Sequence, residues 1–208
     1  MGNNVTDMGL SPEVHKSRIA ELIAIERTAR DMATWDRMLS AYSPDSYVDI
    51  SWYQGSGAGF VAASEQHYDT GARSLHQLGP SLIEIQGDRA IADTGCAVII
   101  PTLVHGKDVT VISYARMRNR LKLTERCWLI AGLRVIYQHD MFIPANPSET
   151  IAIDGEKLAS FRPSYRSLSY IQYASGLAHY SPRNDLPGVD LPDTVANMVK
   201  IETTWLNE

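Results

Sequence analysis

The chain has 208 residues, 44% of them hydrophobic and 21% charged, enough for one good-sized domain or a smaller one with an extension. A formal net charge of -5 argues against a nucleic-acid surface, and no apolar run approaches the length of a bilayer span. The opening "MGNNVTDMGLSPEV" lacks a signal-peptide layout, so a cytoplasmic protein without a membrane partner is expected, and the myristoylation-like Gly2 and Thr6 are read as coincidence.

From Ser11 to about Ala33, apolar residues recur at Ile19, Leu22, Ile23, Ile25, Ala29 and Met32, a helical stripe. Ser11 as N-cap, Pro12 at the first helical position and Glu13 in the first turn supply its start. "TWDRMLSAY" reads as a second short helix closed by Ser43-Pro44. "SYVDISWY" alternates and is rich in β-formers, so it reads as a strand with Val48, Ile50 and Trp52 on one face and Asp49, Ser51 and Tyr53 on the other. "GSGAG" reads as a hinge, and "FVAASEQHY" as a third helix.

Everything from Arg73 to about Asp140 reads as strands. A tight hairpin at Gln86-Gly87-Asp88 joins the first two strands, and Thr124-Glu125-Arg126 joins the last two, so the stretch reads as a four-stranded antiparallel meander. Arg116, Arg118 and Arg120 alternate and share one face, read as solvated or subunit-facing. Cys96 and Cys127 have neither disulfide-framework nor zinc spacing and read as buried small hydrophobes. After "IPANPSE", the stretch "SYRSLSYIQYAS" can form a helix stopped by Gly176, "HYSPRNDLPGVDLP" is a proline-rich connection, and "DTVANMVKIETTWL" is a last helix started at Pro192. A meander needs cover on one face, and the N-terminal helices are the available cover. The expected fold is therefore α+β: a curved, mainly antiparallel sheet wrapped round the first helix, with a pocket at the open end. Residues 1–145 form this domain, and residues 146–208 form a helical extension packed on it or on a neighbouring subunit.

In "RSLHQLGP" a titratable imidazole, His76, enters a mostly apolar strand pair. It is either a core histidine with its hydrogen bonds satisfied or an acid/base group. An imidazole moves protons near neutral pH, and a carboxylate on its second nitrogen fixes the tautomer. "HYD" offers His67 and Asp69, but its spacing matches no zinc pattern, so no metal is expected. "YQHD" ends the last strand, where His139 or Asp140 would sit near the cone mouth.

The element order, with "WDRMLSAYSPDSYVDISW", "HQLG", "GDRAIADT" and "CWLIAGLRV", resembles the SnoaL-like branch of the NTF2-like superfamily over roughly residues 12 to 145. That resemblance implies the cone fold, an apolar pocket and frequent homo-oligomers, dimers or trimers. Within the branch, the pattern is similar to scytalone dehydratase and bile-acid dehydratases, which implies that Asp31 holds a catalytic His76. It departs from them at Arg30, Ile50 and Ile100, where those enzymes carry a tyrosine, a tyrosine and a histidine. Alignment and alternation make Ile50, Trp52, Cys96 and Ile100 pocket residues, with Thr94 beside them. Tyr53 is a candidate hydroxyl if the strand twists, and Tyr47, Tyr114 and Tyr137 are candidate aromatic walls. Arg30 either faces solvent or reaches a substrate oxygen.

The expected activity is a cofactor-independent lyase acting on a small aromatic hydroxylated substrate, by dehydration or by loss of hydroxyl with release of formaldehyde. The tail resembles extensions of environmental SnoaL-like proteins, which implies a lignin-type diarylpropane diol as the first substrate to try. The competing readings are a ketosteroid-isomerase-like or polyketide-cyclase-like enzyme, and a ligand-binding module without catalysis.

Overall fold

A computed structural model describes residues 9–174 and 183–208 of the chain. Two helices open it, α1 (Pro12–Asp31) and α2 (Trp35–Leu39), followed by β1 (Tyr42–Ile50), β2 (Tyr53–Ser56) and α3 (Gly57–Asp69). Four long strands come next: β3 (Leu75–Gln86), β4 (Arg89–Val104), β5 (Lys107–Leu123) and β6 (Trp128–Pro144). The remainder is α4 (Gly155–Ala159), a 3-10 turn (Pro163–Tyr165), α5 (Arg166–Ala174) and α6 (Pro192–Asn207). One six-stranded sheet runs in the order β2-β1-β6-β5-β4-β3, antiparallel except where β1 lies parallel to β6. This is the α+β cone with its four-stranded meander. Among the described residues no helix is long and apolar enough to cross a membrane.

The sequence patterns account for most of these elements. In α1, with Pro12 in its first turn, Ile19 and Ile23 fall one turn apart and are fully buried, so one stripe faces the sheet. The β3–β4 hairpin turns on Gly87, and the β4–β5 hairpin on His105 and Gly106, at positive φ of 59°, 50° and 76°. Two-residue hairpin loops need positive φ at one or both of their residues, and glycine adopts that conformation without steric cost.

Several expectations need correction. Ser43 and Pro44 lie inside β1, where a register irregularity between Tyr42 and Tyr47 leaves Pro44 without a β6 partner, so its missing N–H interrupts no ladder bond. The first strand stops at Ile50; Ser51 and Trp52 form a turn, and Tyr53 begins β2. "GSGAG" is not one hinge: Gly55 and Ser56 pair in β2, and Ser56 caps α3 by accepting the Gly59 N–H. Cys127 is exposed, because it lies in the β5–β6 connection where Thr124 accepts its N–H. Gly2, Thr6 and Gly176 lie outside the described residues.

The arginine face of β5 is covered by the chain's own last helix. Glu202 of α6 accepts from Arg118 at 2.6 Å, Arg118 also reaches Asp93, and Trp205 sits against Arg89 and Arg120. The rest of the extension adds to the main core: Phe161, Tyr165, Leu168 and Ile171 pack in the same apolar cluster as the sheet. Past the end of β1, residues 187–189 take up the β6 backbone. The Tyr137 N–H donates to Pro187 at 2.9 Å, and the Val189 N–H to Tyr137 at 3.0 Å.

Candidate active site

The sheet and α1 enclose a cavity of about 210 Å³, predominantly apolar, whose mouth is marked by the exposed Arg73 and Pro101. Its floor follows from strand register. Cys96, Ala115 and Tyr137 lie side by side across β4, β5 and β6, with Met117 opposite Val135 one step along. The small Cys96 and Ala115 side chains leave space where larger ones would fill it. α3 contributes Phe60 and His67, and α5 contributes Leu168, Ile171 and Gln172 as a roof.

His76 enters from the start of β3 and meets the last residue of α1. Asp31 receives both of its protons: the backbone N–H donates to Oδ2 at 2.7 Å, and Nδ1 lies 2.6 Å from Oδ1. The carboxylate can only accept, so the ring proton is assigned to Nδ1 and the Nε2 lone pair is left toward the cavity. The imidazole side chain is 6% exposed. Burial, aided by the positive charges of Arg27 and Arg30, outweighs Asp31 and depresses the His76 pKa to about 4, so the ring is neutral at pH 7. Burial works against the Asp31 charge, but the His76 hydrogen bonds and the Arg30 charge hold its carboxyl below the usual range.

Two arginines of α1 share this end of the cavity. The apolar stripe Ile19, Ile23 continues at helical spacing into Arg27 and Arg30, which carries both guanidiniums to the inner face. Arg27 is buried and bound at two nitrogens to Glu26, which also accepts the Tyr42 hydroxyl at 2.8 Å. Although burial opposes it, this carboxylate keeps Arg27 charged. Arg30 donates to the Ser74 hydroxyl at 2.7 Å and lies over the Trp52 and Phe60 rings at 5.5 and 5.8 Å. Burial and the neighbouring Arg27 lower its pKa to about 10.

Of the residues singled out in the sequence, Arg30, Ile50, Trp52, His76, Cys96 and Ile100 line the cavity. Asp31 stands behind His76. Tyr53 does not line it: its hydroxyl donates to the Ser56 carbonyl at 3.0 Å, because the turn at Ser51–Trp52 starts a new strand. Thr94 is buried against Ser81 and lies outside the lining, and Tyr47 and Tyr114 are exposed. Asp140, expected near the mouth, is buried and accepts the Leu168 N–H of α5 at 2.7 Å. The cause is an extra residue in β6: Tyr114 faces His139 and Ala115 faces Tyr137, so the bulge at Gln138 reverses the strand's parity and sends His139 outward.

Sequence reasoning missed Arg27, Ser51, Phe60, His67 and the α5 residues. The helical spacing of Ile23, Arg27 and Arg30 was a signal for the first. Tyr137 lines the cavity; its oxygen accepts the Ser51 N–H at 2.9 Å, and burial raises its pKa to about 12, so it is a neutral phenol. His67 stacks on Trp52 at 5.6 Å. Among the described residues, no three or more His, Cys, Asp or Glu side chains are grouped to hold a metal ion.

Residues 15–134 match the SnoaL-like domain family. The chain belongs to this family. Pea pathogenicity protein 2 of Fusarium vanettenii is 26% identical over 166 residues, covering 76% of this chain and 70% of that protein. Among solved structures, a hexachlorocyclohexane dehydrochlorinase matches with a TM-score of 0.55 at 15% identity, over 69% of this chain and 96% of that one. The Kfla4162 protein of Kribbella flavida matches with a TM-score of 0.54 at 14% identity, over 60% of this chain and 91% of that one. These likenesses concern the fold.

Proposed function

We propose that this SnoaL-like protein is a cofactor-independent lyase acting on a small hydroxylated aromatic molecule, with His76 as its general base. The observation that carries the reading is the arrangement of His76: Asp31 takes both the backbone and the Nδ1 protons, leaving a neutral nitrogen at an apolar cavity. Nε2 would take a proton from carbon, the bonding pair would form the alkene, and the hydroxyl on the adjacent carbon would leave. The proton carried by His76 can then convert the departing hydroxide to water, so no further acid is required. Tyr137 supplies an O–H for the leaving oxygen. Arg27 and Arg30 favour negative charge on an oxygen conjugated with the deprotonated carbon.

The dehydrochlorinase likeness supports elimination as a reaction that this architecture accommodates. A cavity of about 210 Å³ suits one substituted ring, since roughly 150 Å³ holds benzene. A diarylpropane diol would leave its second ring in the mouth. With such a diol, loss of the para-hydroxyl proton together with the benzylic hydroxyl, as water, gives a quinone methide. Removal of the hydroxymethyl O–H proton then breaks the carbon–carbon bond, expels formaldehyde and returns the electron pair to the ring system.

The test is incubation of chelator-treated protein with one-ring and two-ring para-hydroxyaryl diols, reading alkene absorbance and formaldehyde, with His76→Ala in parallel. Alkene formed by the native protein and reduced about 10²- to 10⁴-fold in a folded His76→Ala variant is expected. Formaldehyde separates carbon loss from dehydration. An unaffected variant would return His76 to a structural role.

A further inference from the structure

The charges around the cavity do not balance. Among the described residues, its lining includes Arg27, Arg30 and Arg73 and no aspartate or glutamate. Arg27 is answered by Glu26, and Arg73 lies at the exposed mouth over the Tyr68 ring with its donors on backbone carbonyls. Arg30 is different. The carboxylate next to it in sequence, Asp31, has both oxygens engaged by His76. Among the described residues, the protein group hydrogen-bonded to Arg30 is the neutral Ser74 hydroxyl, and its Nε is buried without a partner.

A partly buried cation whose Nε is sealed from water and whose hydrogen-bond partner is a neutral hydroxyl is costly unless a counter-charge arrives from elsewhere. Aromatic rings at Trp52 and Phe60 fix the guanidinium plane, so few rotamers remain to be lost when an anion docks. With Nη1 on Ser74 and Nε buried without a partner, Nη2 is the donor left to a ligand in the cavity that Arg30 and His76 both line. We propose that Arg30 is an anion subsite and that the natural ligand is an aromatic carboxylate, bound with its charge on Arg30 and its ring against Trp52. A carboxylate is favoured over a phenol because it is already ionised at neutral pH. The inference rests on reading the cavity as a substrate site, but not on His76 being catalytic.

The experiment compares 3-phenylpropanoate with 3-phenylpropanamide, equal in shape and different in charge, by calorimetry and tryptophan fluorescence on the full chain. The carboxylate should bind about 10- to 100-fold tighter than the amide, as charge-assisted hydrogen bonds outrank neutral ones. Arg30→Met should abolish that preference by weakening the carboxylate far more than the amide, and should raise the melting temperature of the unliganded protein. Arg30→Lys should keep part of the preference if Arg30→Met does not fold. Equal binding of the two probes, no binding of the carboxylate, or a preference that survives in Arg30→Met would overturn the proposal. His76→Ala should retain the carboxylate preference; no turnover by the native protein, or turnover unaffected by His76→Ala, with the preference intact would sink the lyase reading and leave the anion subsite standing.

Discussion

At the scale of single residues, the decisive feature is which nitrogen of His76 carries the proton. An Asp31→Asn substitution keeps the size of the side chain but offers an amide N–H to Nδ1, which would drive the proton to Nε2 and remove the lone pair from the cavity. Turnover should fall on the order of 10²-fold or more with little change in KM, and the ring's nitrogen chemical shifts would show the tautomer exchanged. Unchanged turnover would mean that the proton is moved elsewhere. Asp31 and His76 were legible in the sequence because their positions follow a family pattern. Arg27 was not: the adjacent Glu26 makes the pair look like an ordinary solvated helix surface, whereas both are buried. Tyr137 was one of ten tyrosines, and its selection depends on a backbone N–H contributed from Ser51, 86 positions away.

At the scale of elements, α5 closes the cavity of its own chain, and Asp140 holds the start of that helix through the Leu168 N–H. Removing this acceptor in Asp140→Ala should cost about 1 kcal/mol, as other lost helix caps do. That corresponds to a drop in melting temperature of roughly 2–4 °C. Because Leu168 and Ile171 are part of the roof, KM should rise more than kcat falls, a split that steady-state kinetics would read. The α5 helix and its apolar face could be read from "SYRSLSYIQYAS". Its partner could not, since Asp140 faces inward only through the bulge at Gln138. Bulges leave no fixed residue signature and reverse the parity on which strand reading depends.

For the whole molecule, burying a neutral histidine ties stability to pH. Folded His76 has a pKa depressed to about 4 from 6.5, so between these values the unfolded chain binds the extra proton. The stabilisation is therefore complete above pH 6.5 and is lost as pH falls toward 4, by a few kcal/mol in all. Urea midpoints should decline between pH 6.5 and 4.5 more steeply in the native protein than in His76→Gln. Equal slopes would show that His76 is not what titrates. The acid limb of activity should likewise lie near pH 4 rather than at 6.5, because the base form persists down to that pH. α6 is a second determinant at this scale, since its Glu202 binds Arg118 and its Trp205 packs on Arg120, covering part of the β5 arginine face.

The α+β class, the main helices and the four-stranded meander were legible in the sequence from periodicity and turn chemistry, local properties of the chain. The Asp31–His76 pair, 45 positions apart, was legible through its resemblance to a family pattern. The tertiary structure alone decided that Trp52 and Ser51 both face the cavity across a turn, that Tyr53 leaves it, that the tail roofs its own pocket, and that among the described residues Arg30 is hydrogen-bonded to a hydroxyl and not to a carboxylate. Each of these is a question of what lies opposite a side chain across tens of residues. Long-range pairing and a one-residue bulge settle it, and neither is encoded by the residues next to it.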